Sequence, residues 1–352
     1  MLGLLISKSK KVIILREGIA FAGTIAVDEI KKIKKYPGKS ELASINHIYR
    51  SSGGAVSNCG VSMAKIDPEL PIDVIALIGD DNNGQFLMNT LQRYPNIDVT
   101  QLITMGKTPF TDVFQDETDH SRTFFAFRGN SDLFDENTID FTNVNSKILH
   151  IAYILLLDSL DQEDPEFGTK MAYVLKKARN QGIKTSIDVV SENSDRYEKI
   201  VPPSLKYTNY CVINELEAGK TVGLALRDHA GALRVERIKE VLIRLADLGV
   251  EDWVIIHCPE GSFGYDGSNY TSVPSLHLDP QSIKGTVGAG DAFVTGVLYG
   301  ALKELSIKDA MILGTASAAS SLMGEDSTSG VLPYAQLTQL YQDLPKREEI
   351  LI

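Results

Sequence analysis

From residue 148 onward the chain alternates short β-rich runs with helical patterns, and that order leaves few folds open. ILHIAYILLL (148–157) leads into the amphipathic EFGTKMAYVLKKARNQG, whose closing glycine is a helix stop ahead of KTSIDVV (184–190). NYCVIN (209–214), DWVIIHC (252–258) and the segment ahead of GAGD (288–291) continue the series. Strands linked through helices run parallel, and a parallel sheet needs apolar cover on both faces. The expectation is an α/β fold in three layers, with a central, mostly parallel sheet flanked by helices.

The N-terminal part reads differently. ELASINHIYR (41–50), TDVFQDE and RTFFAFRG look like half-exposed strands, the last two separated by a polar turn at Thr118–Ser121. Between them lie a helix pattern after Gly53-Gly54, the buried-strand run DVIALIG (73–79) and a helix after Gly84. Segments 29–50 and 108–130 are therefore expected to form a small β lid inserted into a main domain spanning 18–345, with 1–17 as an N-terminal extension. Near the C-terminus, Ser306 and Asp309 have capping-box spacing and open the helix IKDAMILGTASAASSLM. Its small residues, Gly314 and Ala316 to Ala319, suit close packing on another helix or on a flat ligand.

Charge and composition exclude several roles. A formal net charge of −11 opposes binding to a nucleic-acid backbone, so no nucleic-acid partner is expected, and Lys31, Lys32, Lys34 and Lys35 read as a solvated face. No segment approaches the ~20 continuous apolar residues of a membrane span. MLGLLISKSKK is too short in its apolar part for a secretory signal. Cys59, Cys211 and Cys258 lack metal-ligand spacing and fit a reducing compartment. A cytoplasmic protein is expected.

The chemistry concentrates at IKGTVGAGDAF (283–293). In a parallel α/β sheet, ligands sit outside the carboxyl ends of the strands, where helix N-termini converge. A turn over Thr286–Gly290 would point the amides of Gly288, Ala289 and Gly290 at a phosphate, with the helix dipole assisting. Asp291 would repel that phosphate unless it faces an alcohol, whose proton it takes as the oxygen attacks phosphorus. A helix N-cap aspartate with glycines for tight packing suits the same residues, and GAGD alone does not separate the two. Rival phosphate motifs fail on spacing. Phe293 stands where a dinucleotide fingerprint needs glycine. Gln101 and Asn214 stand where Walker loops ending in Gly106-Lys107-Thr108 or Gly219-Lys220-Thr221 would begin.

GTIAVDE, SSGGAVSNCGVSMAKI, IGDDNNG, INELEAG and GTVGAGD occur here in the order in which the ribokinase family, the phosphofructokinase-B type sugar kinases, carries its signatures. The chain resembles that family from residue 23 to about 330. The resemblance implies a ribokinase-like fold and an ATP-dependent kinase that phosphorylates a hydroxymethyl group of a sugar or sugar derivative. It makes Asp291 the catalytic base and Gly288, Ala289 and Gly290 the anion hole. Asp28, Gly53, Gly54 and Asn58 match sugar-binding positions. Asn214 and Glu217 match the motif that organises Mg²⁺ and the ATP phosphates, with Glu217 acting on the metal through water.

Gly261 resembles the glycine of the loop beneath the nucleotide, where Cys258 replaces an earlier glycine. Gly285 stands where the family's second signature begins with aspartate, a residue associated with a bound monovalent cation, which puts potassium activation in question. Arg128 ends the second lid segment within possible reach of substrate. The rivals are an adenosine-type nucleoside kinase, with Tyr49, Phe125 and Phe127 clamping a base, and a non-catalytic sugar-binding regulator. An exposed lid face implies a homodimer paired lid to lid.

Overall fold

The computed structural model describes residues 16–118, 121–285 and 287–352. Fifteen strands are seen among them: β1 (Ile19–Gly23), β2 (Ala26–Ile33), β3 (Ile45–Gly53), β4 (Ile72–Ile78), β5 (Ile97–Thr104), β6 (Phe110–Asp116), β7 (Arg122–Phe127), β8 (Ile148–Ile154), β9 (Glu163–Asp164), β10 (Gly168–Thr169), β11 (Lys184–Val189), β12 (Tyr210–Asn214), β13 (Trp253–Cys258), β14 (Gly261–Tyr265) and β15 (Tyr270–Pro274). The α-helices are α1 (Ala55–Ile66), α2 (Asn82–Leu91), α3 (Lys170–Asn180), α4 (Tyr197–Ile200), α5 (Pro202–Leu205), α6 (Glu215–Thr221), α7 (Ile238–Asp247), α8 (Ala289–Leu302), α9 (Ile307–Leu322) and α10 (Tyr334–Asp343).

The main sheet has nine strands in the order β15-β14-β13-β12-β11-β8-β1-β4-β5. From β13 to β5 all neighbours run parallel, and β13, β14 and β15 meander antiparallel at one edge. Side-chain alternation along the buried strands feeds two cores. On β1, Ile19 and Phe21 join α1, α2, α8, α9 and α10 on one face, while Ala20 and Ala22 join α3 to α7 on the other. The lid is a second sheet of four strands, β3-β2-β6-β7, in which β2 and β6 pair in parallel.

Two sequence expectations need correction. The segment ahead of GAGD is no strand: after Pro274 it forms a short 3-10 turn at Pro280–Ser282, which Asp279 caps through the Gln281 amide. Pro280 lacks the N–H that a ladder needs, and the β14–β15 hairpin already occupies the sheet edge. The helix read from 166 begins only at Lys170, where the Thr169 hydroxyl caps the Ala172 amide. Before it, 163–169 form the β9–β10 hairpin. The lid turn expected at Thr118–Ser121 includes Asp119 and His120, which lie outside the described residues, as does most of the 1–17 extension.

Ser306 and Asp309 form the expected capping contacts at the start of α9. Gly314 packs closely on α8, since a Cβ there would lie 2.8 Å from Val297 Cγ2, whereas Ala318 and Ala319 face a cleft. The helix thus uses its small residues in both of the ways the sequence left open.

Candidate active site

The strand ends place the early and late motifs against each other. Gly53 closes β3 where no side chain fits, because a Cβ would sit 2.4 Å from Asp28 Oδ2. Gly54 adopts φ 77° as the N-cap of α1, a left-handed conformation that favours glycine. One turn later Asn58 points its amide across to α8 and donates to Asp291 Oδ2 at 2.8 Å. Its Oδ1 is buried with no hydrogen-bond partner among the described residues, an acceptor with its capacity unused.

Asp291 lies in the first turn of α8, behind an N-cap at Gly288 with φ 82° and no side-chain cap. A Cβ at Gly288 would lie 2.5 Å from Ser327 Cβ. The carboxylate does not cap the helix; it is only 6% exposed and turns toward Asn58 and Tyr153. The Tyr153 hydroxyl, at the carboxyl end of β8, donates to Asp291 Oδ1 at 2.7 Å. Two donors occupy about half of a carboxylate's four lone-pair sites, so it retains capacity for an alcohol.

Burial raises the Asp291 pKa above the usual carboxylate range, against the two donors that lower it. Asp28 is pushed up to about 6, first by burial and then by the charge of Asp291, while a hydrogen bond from Thr111 opposes the rise. The charge of Asp291 is thus felt at Asp28. Asp188, at the end of β11, is raised by burial and then by the charges of Glu217 and Asp291.

Beyond α8 opens a cleft of about 550 Å³, within the range of small-molecule sites. Ala289, Gly290, Asn214 and Gly261 line it, with Phe293 and Leu322 among its apolar walls. Gly261 has no room for a side chain, since a Cβ would lie 2.8 Å from the Val273 carbonyl. Cys258 sits on β13 without positive φ, so replacing glycine there costs no backbone strain.

Asn214 and Glu217 form a capping box on α6. Asn214 Oδ1 accepts from the Leu216 and Glu217 amides, and Glu217 Oε2 accepts from the Asn214 amide at 3.0 Å. The Ser191 hydroxyl donates to Glu217 Oε1 at 2.6 Å. Asn214 lines the cleft, whereas Glu217 is buried behind it, pushed up to about 7 by burial. Among the described residues no cluster of three or more His, Cys, Asp or Glu is placed to cage a metal. One carboxylate acting through water suits Mg²⁺, which keeps much of its hydration. The monovalent cation fits less well: Gly285 offers no carboxylate, and a guanidinium nitrogen of Arg122 lies 3.4 Å from where its Cβ would be.

Arg128 does not point to the site. It pairs with Asp158 at 3.0 Å and donates to the Leu156 carbonyl. Tyr153 and Asp188 were missed by sequence reasoning. The available signal was a polar group in the last residues of a parallel strand, where such sheets bind ligands. The capping box was legible too, as asparagine followed three residues later by glutamate.

A buried carboxylate beside an amide with an unpartnered oxygen, in the first turn of a helix at the carboxyl ends of the strands, is an arrangement that suits a small-molecule kinase on a ribokinase-like fold. Residues 18–333 match the model of the pfkB family carbohydrate kinases, and the chain belongs to that family. It is similar to a nucleoside kinase of Methanocaldococcus jannaschii, 24% identical over 86% of this chain and 89% of that one. It is also similar to a 5-dehydro-2-deoxygluconokinase of Clostridium beijerinckii, 26% identical over 84% of this chain and 85% of the relative. Among solved structures, an Arabidopsis thaliana ribokinase complexed with ribose and ATP superposes with a TM-score of 0.74 at 16% identity, covering 93% of this chain and 99% of that one.

Proposed function

We propose that the protein transfers the γ-phosphoryl group of ATP to a hydroxymethyl group of a sugar or sugar derivative. The observation that carries this reading is the Asp291 carboxylate, held by Asn58 and Tyr153 at the first turn of α8. The acceptor alcohol would lie between Asp28, the free Oδ1 of Asn58 and Asp291. There Asp291 takes its proton, a role that a carboxylate with an elevated pKa performs well near neutral pH. Ala289 and Gly290 line the cleft that would hold the nucleotide, and their amides would stabilise charge on the phosphoryl oxygens. Asn214 and Glu217 would hold Mg²⁺ through water, and the metal supplies charge neutralisation between the phosphates.

The lid of segments 29–50 and 108–130, carried by the 18–345 domain, would close over the sugar and exclude competing water. Its outer residues support pairing of two copies: Ile48, Phe124, Phe125 and Phe127 are 62%, 53%, 53% and 47% exposed. A homodimer is the expected form, and a strictly monomeric light-scattering profile would refute it. Among the described residues no helix is long and apolar enough to cross a membrane. The need for ATP suits work in the cytoplasm.

The test is ATP consumption across pentoses, hexoses, keto-deoxy acids and nucleosides. Turnover of a sugar or sugar acid supports the reading. Nucleosides phosphorylated while every sugar is ignored would transfer it to the nucleoside rival. That rival draws on the lid rings: Phe127 lies 5.3 Å from Phe110 and Phe125 5.8 Å from Phe114, centroid to centroid.

A further inference from the structure

Gly285 is buried on the segment that leads into the N-terminus of α8. Three groups surround the point where its Cβ would lie: the Gly324 carbonyl oxygen at 3.1 Å, the Glu325 carbonyl oxygen at 3.4 Å and Arg122 Nη2 at 3.4 Å. Arg122 is the first residue of β7 and therefore part of the lid. Its guanidinium is half-buried and makes no side-chain hydrogen bond or ion pair with the described residues. The charges of Arg122, Glu325 and Asp326 all bear on the Tyr49 phenol, whose pKa is raised first by burial, so this lid cation meets a locally acidic loop.

A guanidinium that converges with two carbonyl oxygens on the Gly285 position, hydrogen-bonded to neither, brings a positive charge to where a bound monovalent cation would meet the negative ends of peptide dipoles. A carboxylate at 285 would be needed to draw in a metal ion, and glycine provides none. A metal ion at this point would also face the guanidinium, charge against charge.

We propose that Arg122 is a tethered cation: it replaces a free monovalent ion at Gly285, on the segment that leads to the phosphate-binding amides. Arg122 is a positioning residue in this account, acting through that segment. Because it is carried by the lid, the anion hole is fully set only when the lid is down over the sugar. The inference rests on the kinase reading above and deepens it.

Two arms test it. In the first, wild-type turnover is measured at constant ionic strength with potassium, sodium or choline as the monovalent cation, and the three rates are expected to agree. Arg122→Gln should lower kcat by about ten- to a hundredfold, less than the roughly 10²–10³-fold lost when a donor that touches the transition state is removed, because Arg122 acts at one remove. It should leave KM for the sugar little changed, and the loss should be partly repaired by potassium or free guanidinium; Arg122→Lys should retain most of the rate. In the second arm, melting temperature is read without substrate. Wild type should melt alike in potassium and choline chloride, while Arg122→Gln should melt higher in potassium.

Wild-type turnover or melting raised specifically by potassium, or an unchanged kcat in Arg122→Gln, would overturn the proposal. Absence of turnover with every substrate would count against the proposed function, and the melting arm would still decide between a tethered and a free cation.

Discussion

Replacing Tyr153 by phenylalanine removes one hydroxyl and leaves the ring in place, so it isolates what that group does for the base. The Tyr153 hydroxyl donates to Asp291 Oδ1 at 2.7 Å, and Asn58 serves the other oxygen. A hydrogen bond to a charged group is worth about 1.5–3 kcal/mol. Tyr153 offers it only to the ionised carboxylate's benefit, so its loss raises the Asp291 pKa further in the direction burial already drives it. At about 1.4 kcal/mol per pH unit, the displacement is large enough to measure.

The assay is the pH dependence of kcat/KM, scanned from acid to alkaline pH. The acid limb belonging to Asp291 should move to higher pH in Tyr153→Phe, with much of the rate regained at alkaline pH. Asp188 and Glu217 also titrate upward and must be followed in the same profile. An acid limb that stays in place, with kcat reduced equally at all pH values, would refute the argument that Tyr153 sets the ionisation of the base.

The Asp28→Asn variant should lose sugar affinity yet gain thermal stability, because it deletes a buried charge that repels Asp291. Its folded pKa of about 6 exceeds the ordinary 3.8, so the wild-type penalty is full above about 6 and fades as pH falls between the two values. Melting curves of both proteins should therefore differ at pH 8 and converge as pH drops toward about 4; parallel curves would count against the carboxylate pair. Gly288→Ala should fold poorly, with φ 82° and a Cβ 2.5 Å from Ser327, whereas Gly290→Ala meets only His257 at 3.7 Å. A folded Gly290→Ala that loses turnover supports an anion hole there, and one with wild-type kcat does not.

Much of the fold was legible because it rests on local rules. The strand–helix order from residue 148, the glycine stop at 182, Ser306 with Asp309 and the lid strands all follow from periodicity and capping chemistry. The edge of the sheet was not, since nothing in residues 275–285 says that β14 and β15 have already closed it. At the site, the glycines and Asp291 stood out because few other residues tolerate those positions. Tyr153 and Asp188 did not, because each looks like an ordinary member of a buried strand until the parallel sheet aligns the ends of β8 and β11 beside α8. Arg128 and Arg122 show the same limit: both are lid arginines in the sequence, and only the lid's path separates the one that pairs with Asp158 from the one that reaches Gly285.

The central claim is that Asp291 removes the proton of a bound alcohol while the amides at the start of α8 hold the phosphoryl group. Asp291→Asn keeps the shape of the side chain and deletes its basicity. Calorimetry on this variant should show ATP and sugar binding close to wild type, while steady-state turnover falls by about 10²–10⁴-fold, the usual contribution of a general base. Turnover within a few-fold of wild type, with both ligands bound, would contradict the account.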